Sequence, residues 1–489
     1  MNNRSKLHRE HTYSKLLDMK YHVSVLDNLS KALSENLPKS DKLMLMKGDN
    51  RDFGLQELRV GKTKQTLLII TEHPPKSHSP SGERILHAAL AGSSVFKSVI
   101  VLSLWGGRKR HWQGQTKQHE TRVSLKAVNF VRGMLYPLRD ILDPIKFLVF
   151  FVHALTLSKR YKPLCILASM PPFETGICAW LLSKCGSSEL AVDLRDDWES
   201  AVATQLKRYF PAAVFHILSL ITNKVYQSAF VIFAATQTIG DTVRKRGVTT
   251  PIILVPNGAD TSVFLPKNEG LRRNIRMKYN LPQDKIVAVY CGSGTILYYR
   301  LDVVLSCLNF LPPEVKDKIY VVFYVYDGTE KLEQEQKELG IAGSILEIRG
   351  PLPRESLAEV LAACDIGLLP FDDKAYLLCA RSTKLYEYLS SGLYVICSGP
   401  EGGELDAFFS ANPALGLFIR PNAKDFALSV GNILKVRGDL LGDDLRESRH
   451  SFIEKNYDRR AVMKVAMKDL LERVQSSVNA KCFQNRNKR

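Results

Sequence analysis

Ile366-Gly367-Leu368-Leu369-Pro370, then Arg381-Ser382-Thr383-Lys384-Leu385-Tyr386-Glu387-Tyr388-Leu389-Ser390-Ser391-Gly392, then Leu393-Tyr394-Val395-Ile396-Cys397: these three pieces decide the fold. The first and third are short, continuous apolar runs, the pattern of strands buried on both faces. The middle piece opens on Ser382 or Thr383, either of which can cap a helix, and closes on Gly392, which can end one. Strand, helix and strand in this order form a βαβ unit, because parallel neighbours need a crossover between them.

Working outward, the same alternation recurs. Strands are expected at Leu67–Ile70, Ser98–Leu104, Leu164–Ser169, Leu190–Leu194, Phe230–Ala234 and Ile252–Val255. A second series is expected at Ile286–Tyr290, Ile319–Val325, Ile345–Arg349, Ile366–Pro370, Leu393–Cys397 and Leu417–Ile419. Helical patterns such as Glu355–Ala363 and Ala423–Leu434 lie between most of them. Two tandem series predict an α/β protein of two Rossmann-like, doubly wound domains facing a cleft. A length of 489 residues agrees, since single cores stop growing at ~250–300 residues.

The expected limits are an N-terminal extension at 1–60, with no periodic pattern and no readable role, a first domain at 61–255, a second at 256–460, and a final segment at 461–489. The turn signal Pro256-Asn257-Gly258 marks the boundary. The final segment predicts an amphipathic helix over about Arg460 to Val474, able to cross the domain junction, and a mobile basic tail from Lys481.

The chain carries a net charge of +18. Residues 61–250 hold 25 basic and 12 acidic side chains, net +13, so most of the excess falls on the first domain. Such a surface reads as one that attracts an anionic membrane or nucleic acid, or as a plain solvated face. Clusters such as Arg108-Lys109-Arg110 and Arg244-Lys245-Arg246 lack interleaved aromatics and accompany no nucleic-acid motif, so nucleic acid is not the expected partner. The longest apolar candidate, Ile145 to Leu157, is too short to span a bilayer and predicts a buried core helix after Pro144. The N-terminus has no apolar signal core. Nine cysteines, none in a CxxC pair, suggest neither a disulfide framework nor a zinc site. A cytoplasmic protein, peripheral on the inner face of the membrane, is the expectation.

In doubly wound sheets ligands bind beyond the carboxyl ends of the strands. After the first strand of domain two comes Cys291-Gly292-Ser293-Gly294-Thr295, where Gly292, Ser293 and Gly294 can bring backbone amides close to a phosphate. There is no GxGxxG and no GxxxxGK[ST], so neither a dinucleotide fingerprint nor a P-loop is present. Arg300 follows, placed to meet a diphosphate or simply to lie in solvent. In the helix after Thr383, Lys384 and Glu387 share a face with Ser391. They read either as an i,i+3 ion pair or as a lysine for phosphate and a carboxylate for ribose hydroxyls. Gly402-Gly403, directly after the strand Leu393–Cys397, offers a second amide cradle.

Taken together these landmarks resemble the GT-B glycosyltransferases, specifically retaining family four and its "four-like" relatives. Val255-Pro256-Asn257-Gly258-Ala259-Asp260 with Phe264 resembles the family's "PNGVD..F". Tyr290 to Gly294 resembles "YVG", and Asp327-Gly328 resembles "GDG". Arg349-Gly350-Pro351-Leu352-Pro353 resembles "F.G.VP", and Ala363 to Pro370 resembles "ADVGLLP". Lys384 to Gly392 resembles "KLYEYMAAG". In domain one, Ser169 to Gly176 resembles "SSPP..TG" and Asp193-Leu194-Arg195-Asp196-Asp197-Trp198 resembles "D.RD.W", while Glu72 to Arg84 resembles the acceptor-side loop.

The resemblance implies an acceptor domain, then a donor domain, a nucleotide-sugar donor, retention of configuration, and no metal or other cofactor. It implies a glycan or lipid-linked acceptor in polysaccharide or cell-envelope assembly. By it, Arg300 and Lys384 neutralise the departing diphosphate, Glu387 holds the ribose, and Thr383, Gly292–Gly294 and Gly402–Gly403 complete the donor site, with Asp196 orienting acceptor or sugar. Two departures stand out. Ser293-Gly294 replaces the arginine many relatives carry there, and Cys379 stands eight positions before Glu387, where many have a glutamate. A degenerate transferase acting as a scaffold, or a sugar-nucleotide epimerase, are the alternatives.

Overall fold

The computed structural model describes residues 23–26, 43–46, 55–58, 65–73, 80–104, 144–207, 209–296, 298–436 and 440–487. Arg108-Lys109-Arg110 lies outside them. The chain divides into two compact units. The first comprises the described parts of Met1–Ala234, Val243–Ile253 and Met463–Arg489, and the second Ala235–Thr242 and Leu254–Val462.

In the first unit three short strands, β1 (Val23–Leu26), β2 (Leu43–Met46) and β3 (Leu55–Leu58), lie in the extension where no pattern is legible. Then come β4 (Thr66–Thr71), β5 (Ser98–Ser103), β6 (Cys165–Met170), β7 (Glu189–Leu194), β8 (Val231–Ala234) and β9 (Ile252–Leu254). β1 and β2 form a parallel pair. The main sheet runs β3-β5-β4-β6-β7-β8-β9. β4 pairs in parallel with β5 and β6, β6 with β7, and β7 with β8. β3 is antiparallel to β5 and adds an edge that alternation within four residues does not announce.

All six residues of β4, and all six of β6, are buried. Each apolar side chain so buried stabilises the fold by ~1.5–3 kcal/mol. Helices Pro80–Val95 and Phe173–Cys185 pack on the sheet, and Pro144–Tyr161 packs against Phe173–Cys185. The expected core helix after Pro144 forms and buries Phe150, Ala154 and Leu157, but it is not buried all round, since Leu148 and Val152 are exposed. Among the described residues no helix is long and apolar enough to cross a membrane.

In the second unit the sheet contains β10 (Ile286–Gly292), β11 (Ile319–Val325), β12 (Leu346–Arg349), β13 (Ile366–Pro370), β14 (Tyr394–Ser398) and β15 (Gly416–Ile419). Their order is β12-β11-β10-β13-β14-β15, every pair parallel. In sequence terms this is 3-2-1-4-5-6, the doubly wound order of dinucleotide-binding domains. Period-two alternation sends Val287, Val289 and Cys291 into one core, with Leu385 and Leu389. It sends Ile286, Ala288 and Tyr290 into the other, with Leu301 and Leu305. A strand buried on both faces has no polar side, which is why the sequence reads as continuous apolar runs.

The final helix spans Arg459–Asn487, so the expected mobile tail from Lys481 is corrected as far as Asn487. Its first residues belong to the second unit and those from Met463 on to the first.

Candidate functional site

In the second unit the strand order reverses between β10 and β13, the switch point where a doubly wound sheet opens a crevice. These strands pair only at Ala288–Ile366 and Val289–Gly367. Beyond that Tyr388 separates them. Any side chain at Gly367 would overlap the Tyr388 ring, and the Tyr388 hydroxyl accepts the N–H of Cys291 at 2.9 Å. A side chain thus takes a bond that a ladder neighbour would otherwise receive.

The helix Thr383–Ser390 starts at this opening. Ser382 caps it, its hydroxyl accepting the Lys384 N–H at 3.3 Å. Thr383 is buried in the first turn and Leu385 and Leu389 anchor the helix in the core, so Lys384 is aimed back over β10. Its ammonium lies 3.9 Å from the Tyr299 ring centre and 5.1 Å from that of Tyr290. A Cβ at Gly292 would overlap the lysine, so glycine is required for this approach. No carboxylate lies within ion-pairing distance of Lys384 among the described residues. The residue is half-buried, and its ammonium packs against the faces of the Tyr299 and Tyr290 rings. Desolvation therefore lowers its pKa to about 8, against opposing contributions from Tyr326, Cys291 and Glu387.

Tyr299 belongs to an aromatic group that sequence reasoning missed, with Tyr298 at 4.7 Å and Phe371 at 4.9 Å between ring centres. The loops after β10 and β13 are stitched together there. Arg300 N–H donates to the Pro370 carbonyl at 2.7 Å and Asp372 N–H to that of Tyr298 at 2.9 Å. The run Tyr298-Tyr299-Arg300 was the available signal, but nothing local says where the rings fold.

Of the two readings of Lys384 and Glu387, the i,i+3 ion pair does not form. Glu387 Oε1 lies 3.7 Å from the buried Arg459 guanidinium, which also donates to the Gly258 carbonyl. The final helix thus brings a cation to Glu387 from 72 positions away in sequence, beyond the reach of any helical-wheel reading.

Arg300 stands at the start of helix Leu301–Phe310 with two carboxylates, Asp302 at 2.8 Å and Asp372 at 3.3 Å. Its hydrogen bonds to Asp302 raise its pKa further. Burial penalises the Asp372 carboxylate, but the Asp373 N–H, Lys374 and Arg300 outweigh that and hold it below the usual range. Arg300 is therefore largely neutralised within the protein.

In each expected amide cradle some backbone donors are already engaged within the protein. The Asp327 carboxylate at the end of β11 accepts the Gly294 N–H at 2.7 Å, the Ser293 hydroxyl at 2.8 Å and the Thr295 hydroxyl at 3.0 Å. Gly402 N–H donates to Asp406 at 2.8 Å, and Gly403 N–H to the Pro400 carbonyl at 3.2 Å. A backbone donor that already serves a carboxylate or a carbonyl is not free for a phosphate. Glu404 holds the second loop from within, accepting from Arg381 at 2.7 Å and from the Thr238 N–H and hydroxyl, each at 2.8 Å.

Cys379 is buried, its thiol donating to the Tyr376 carbonyl at 3.4 Å. Nothing about it resembles an exposed sugar-binding carboxylate.

Asp196 belongs to the first unit. Beside it Arg84 clamps Asp193 bidentately, at 2.6 and 3.0 Å, both side chains being buried. Arg195 donates to the carbonyls of Met170 and Pro171. Asp196 itself is exposed, yet many protein atoms crowd it. That desolvation raises its carboxyl pKa, against Arg195 and Arg84. Asp197 caps helix Trp198–Leu206.

Two Rossmann-like units, the second in 3-2-1-4-5-6 order with a cation at its switch point, define a protein of the GT-B fold. Solved glycosyltransferases of that fold are its structural relatives. A glycosyltransferase from Rickettsia africae superposes with a TM-score of 0.59 at 14% identity, covering 84% of this chain and 99% of its own. Sucrose-phosphate synthase of Thermosynechococcus elongatus gives 0.61 at 15% identity, covering 84% and 100%. Anabaena HepE, solved in complex with UDP, gives 0.57 at 12% identity, covering 83% and 99%. No family model and no curated protein matches the sequence.

Proposed function

We propose that this protein is a glycosyltransferase that moves a sugar from a nucleotide diphosphate donor to a glycan or lipid-linked acceptor. It does so with retention of configuration and without a metal, on the inner face of the membrane, in polysaccharide or cell-envelope assembly. The observation that carries the reading is Lys384. It is a desolvated ammonium with no carboxylate partner among the described residues, held at the switch point of a sheet whose ligands bind there. A phosphate supplies the missing counter-charge, and in a dry site that charge stabilises a departing diphosphate more than it would in water. Glu387, one turn on, accepts ribose hydroxyls. Arg300 stays shared with Asp302 and Asp372 and assists from the rim. Asp196 orients acceptor or sugar from the first unit. Anabaena HepE, solved with UDP and with UDP-glucose, supports a nucleotide-sugar donor.

The test is release of nucleoside diphosphate from a panel of nucleotide sugars, with and without a chelator, and the anomer of the product read by NMR. Failure to bind or cleave any donor would sink the proposal. The partly engaged amide cradles and the buried Cys379 favour a second reading, a degenerate transferase that binds nucleotide without turnover. Binding without release would establish it. Donor conversion without an acceptor would point to an epimerase.

A further inference from the structure

Helix Ala212–Ser228 has more apolar surface than its fold uses. Its sequence carries a polar side, with His216, Ser219, Asn223 and Gln227 at helical spacing, but its remaining surface is mostly apolar. Yet only Thr222, Val225 and Tyr226 are buried, all near its C-terminal end. Val214, Ile217, Leu220 and Ile221 fall within an arc of about 120° at 3.6 residues per turn. They stand in solvent, Ile217 at 57% and Leu220 at 51% exposure. Tyr209, just before the helix, is exposed as well. Single exposed apolar residues need no explanation, but a stripe of four does.

The charge around the stripe says what meets it. From Ser200 to Gly240 there is no aspartate or glutamate, while Lys207, Arg208 and Lys224 are basic. Lys224 continues the exposed stripe by one turn. An open hollow of about 290 Å³ adjoins the start of the helix, lined by Thr204, Lys207, Phe210 and Phe215 among others. Glu199, which accepts from Thr222 and Tyr226 on the buried side of this helix, is paired with Arg246, so the exposed apolar residues are flanked by cations and match a bilayer with anionic headgroups.

We propose that helix Ala212–Ser228 is an interfacial helix, seating Val214, Ile217, Leu220 and Ile221 among the acyl chains of an anionic lipid surface. This rests on the membrane setting of the reading above and names the element that makes the contact. Lys207 and Lys224 meet the headgroups, and the stripe supplies an attachment that salt weakens without abolishing.

The test compares the full chain with an Ile217→Ser/Leu220→Ser variant. Both are sedimented with phosphatidylcholine vesicles, with or without phosphatidylglycerol. The expected result is preference of the wild type for anionic vesicles and a loss of at least tenfold in the variant, with melting midpoint, sedimentation coefficient and nucleotide affinity unchanged. Three results would overturn it: equal binding by both proteins or none by the wild type, a lowered melting midpoint (the chain itself covers the stripe), or loss of self-association (a second copy covers it). Nucleotide affinity, measured on the same preparations, fails separately if the transferase reading is wrong.

Discussion

Asp327 accepts the backbone N–H of Gly294 at 2.7 Å, filling with a protein carboxylate the amide turn after β10 where an anion was expected. A side chain at Gly294 would overlap the backbone carbonyl of Asp327, so this close approach requires glycine at 294. The turn is prefolded and already holds a negative charge. With the Gly294 amide engaged, a phosphate at this turn would rely more on side chains, and among the described residues Lys384 stands there without a carboxylate in ion-pairing distance.

Asp327→Asn keeps an acceptor for Gly294 but removes the charge. Nucleoside diphosphate should bind a few-fold more tightly, and stability should fall by about 1–2 kcal/mol as charge-assisted hydrogen bonds become neutral ones. Calorimetry with UDP and a denaturant titration check both. Weaker binding in a folded variant would show that the carboxylate helps the ligand.

Lys384→Met should weaken diphosphate binding at least tenfold, about 1.4 kcal/mol. In the wild type the ammonium is desolvated to a pKa of about 8. A bound diphosphate, fully ionised above pH ~7, favours the charged form and raises that value. Affinity should thus be level below pH 8 and fall above it, by up to about tenfold per pH unit. Proton uptake on binding should appear near pH 8.5 in buffers of different ionisation enthalpy. A flat profile to pH 9.5 would remove Lys384 from the site.

Glu387→Gln should lower affinity for the nucleoside diphosphate through the ribose. It should also cost about 1 kcal/mol of stability, because Arg459 loses its carboxylate neighbour. The cost stays modest since the pair is long and Glu387 is not fully buried. Loss of stability with unchanged affinity would make Glu387 an anchor for Arg459 alone.

Cys379→Ser should leave turnover within about tenfold, because a buried thiol bonded to a local carbonyl touches no substrate and is a poor acceptor. A loss of ~10³ with intact nucleotide binding would show a direct role.

Asp365 accepts from Arg276 at 2.6 Å and from the Val287 N–H at 2.9 Å, and it also pairs with Arg272. Burial penalises its charge, but the three arginines Arg276, Arg272 and Arg446 outweigh that and hold its pKa below the usual range. The stability it confers is therefore present at neutral pH and lost only as the pH falls through that depressed value. Asp365→Ala should cost about 3–5 kcal/mol by leaving buried guanidinium groups unpaired, as measured by denaturant unfolding.

All twelve strands read from the sequence occur in the structure, within about two residues at each end. They were legible because a parallel strand covered on both faces is continuously apolar. β3 was not, since a four-residue antiparallel edge carries too little periodicity. Lys384, Glu387 and Asp327 were each legible as residues beside strand ends. Their partners were not, because Tyr299, Arg459 and Gly294 approach them through tertiary contacts.

The sequence by itself determined the alternation of strands and helices, the two tandem series and the position of chemistry-bearing residues at strand ends. Those properties follow from local periodicity and chain geometry. Only the tertiary structure decided which charges are compensated: Arg300 and the amides of Gly294, Gly402 and Gly403 are satisfied from within, while Lys384 packs against aromatic rings with no carboxylate partner among the described residues. Compensation depends on distances of a few ångströms between residues far apart in sequence. Coulomb energy and desolvation are set by those distances and not by residue identity.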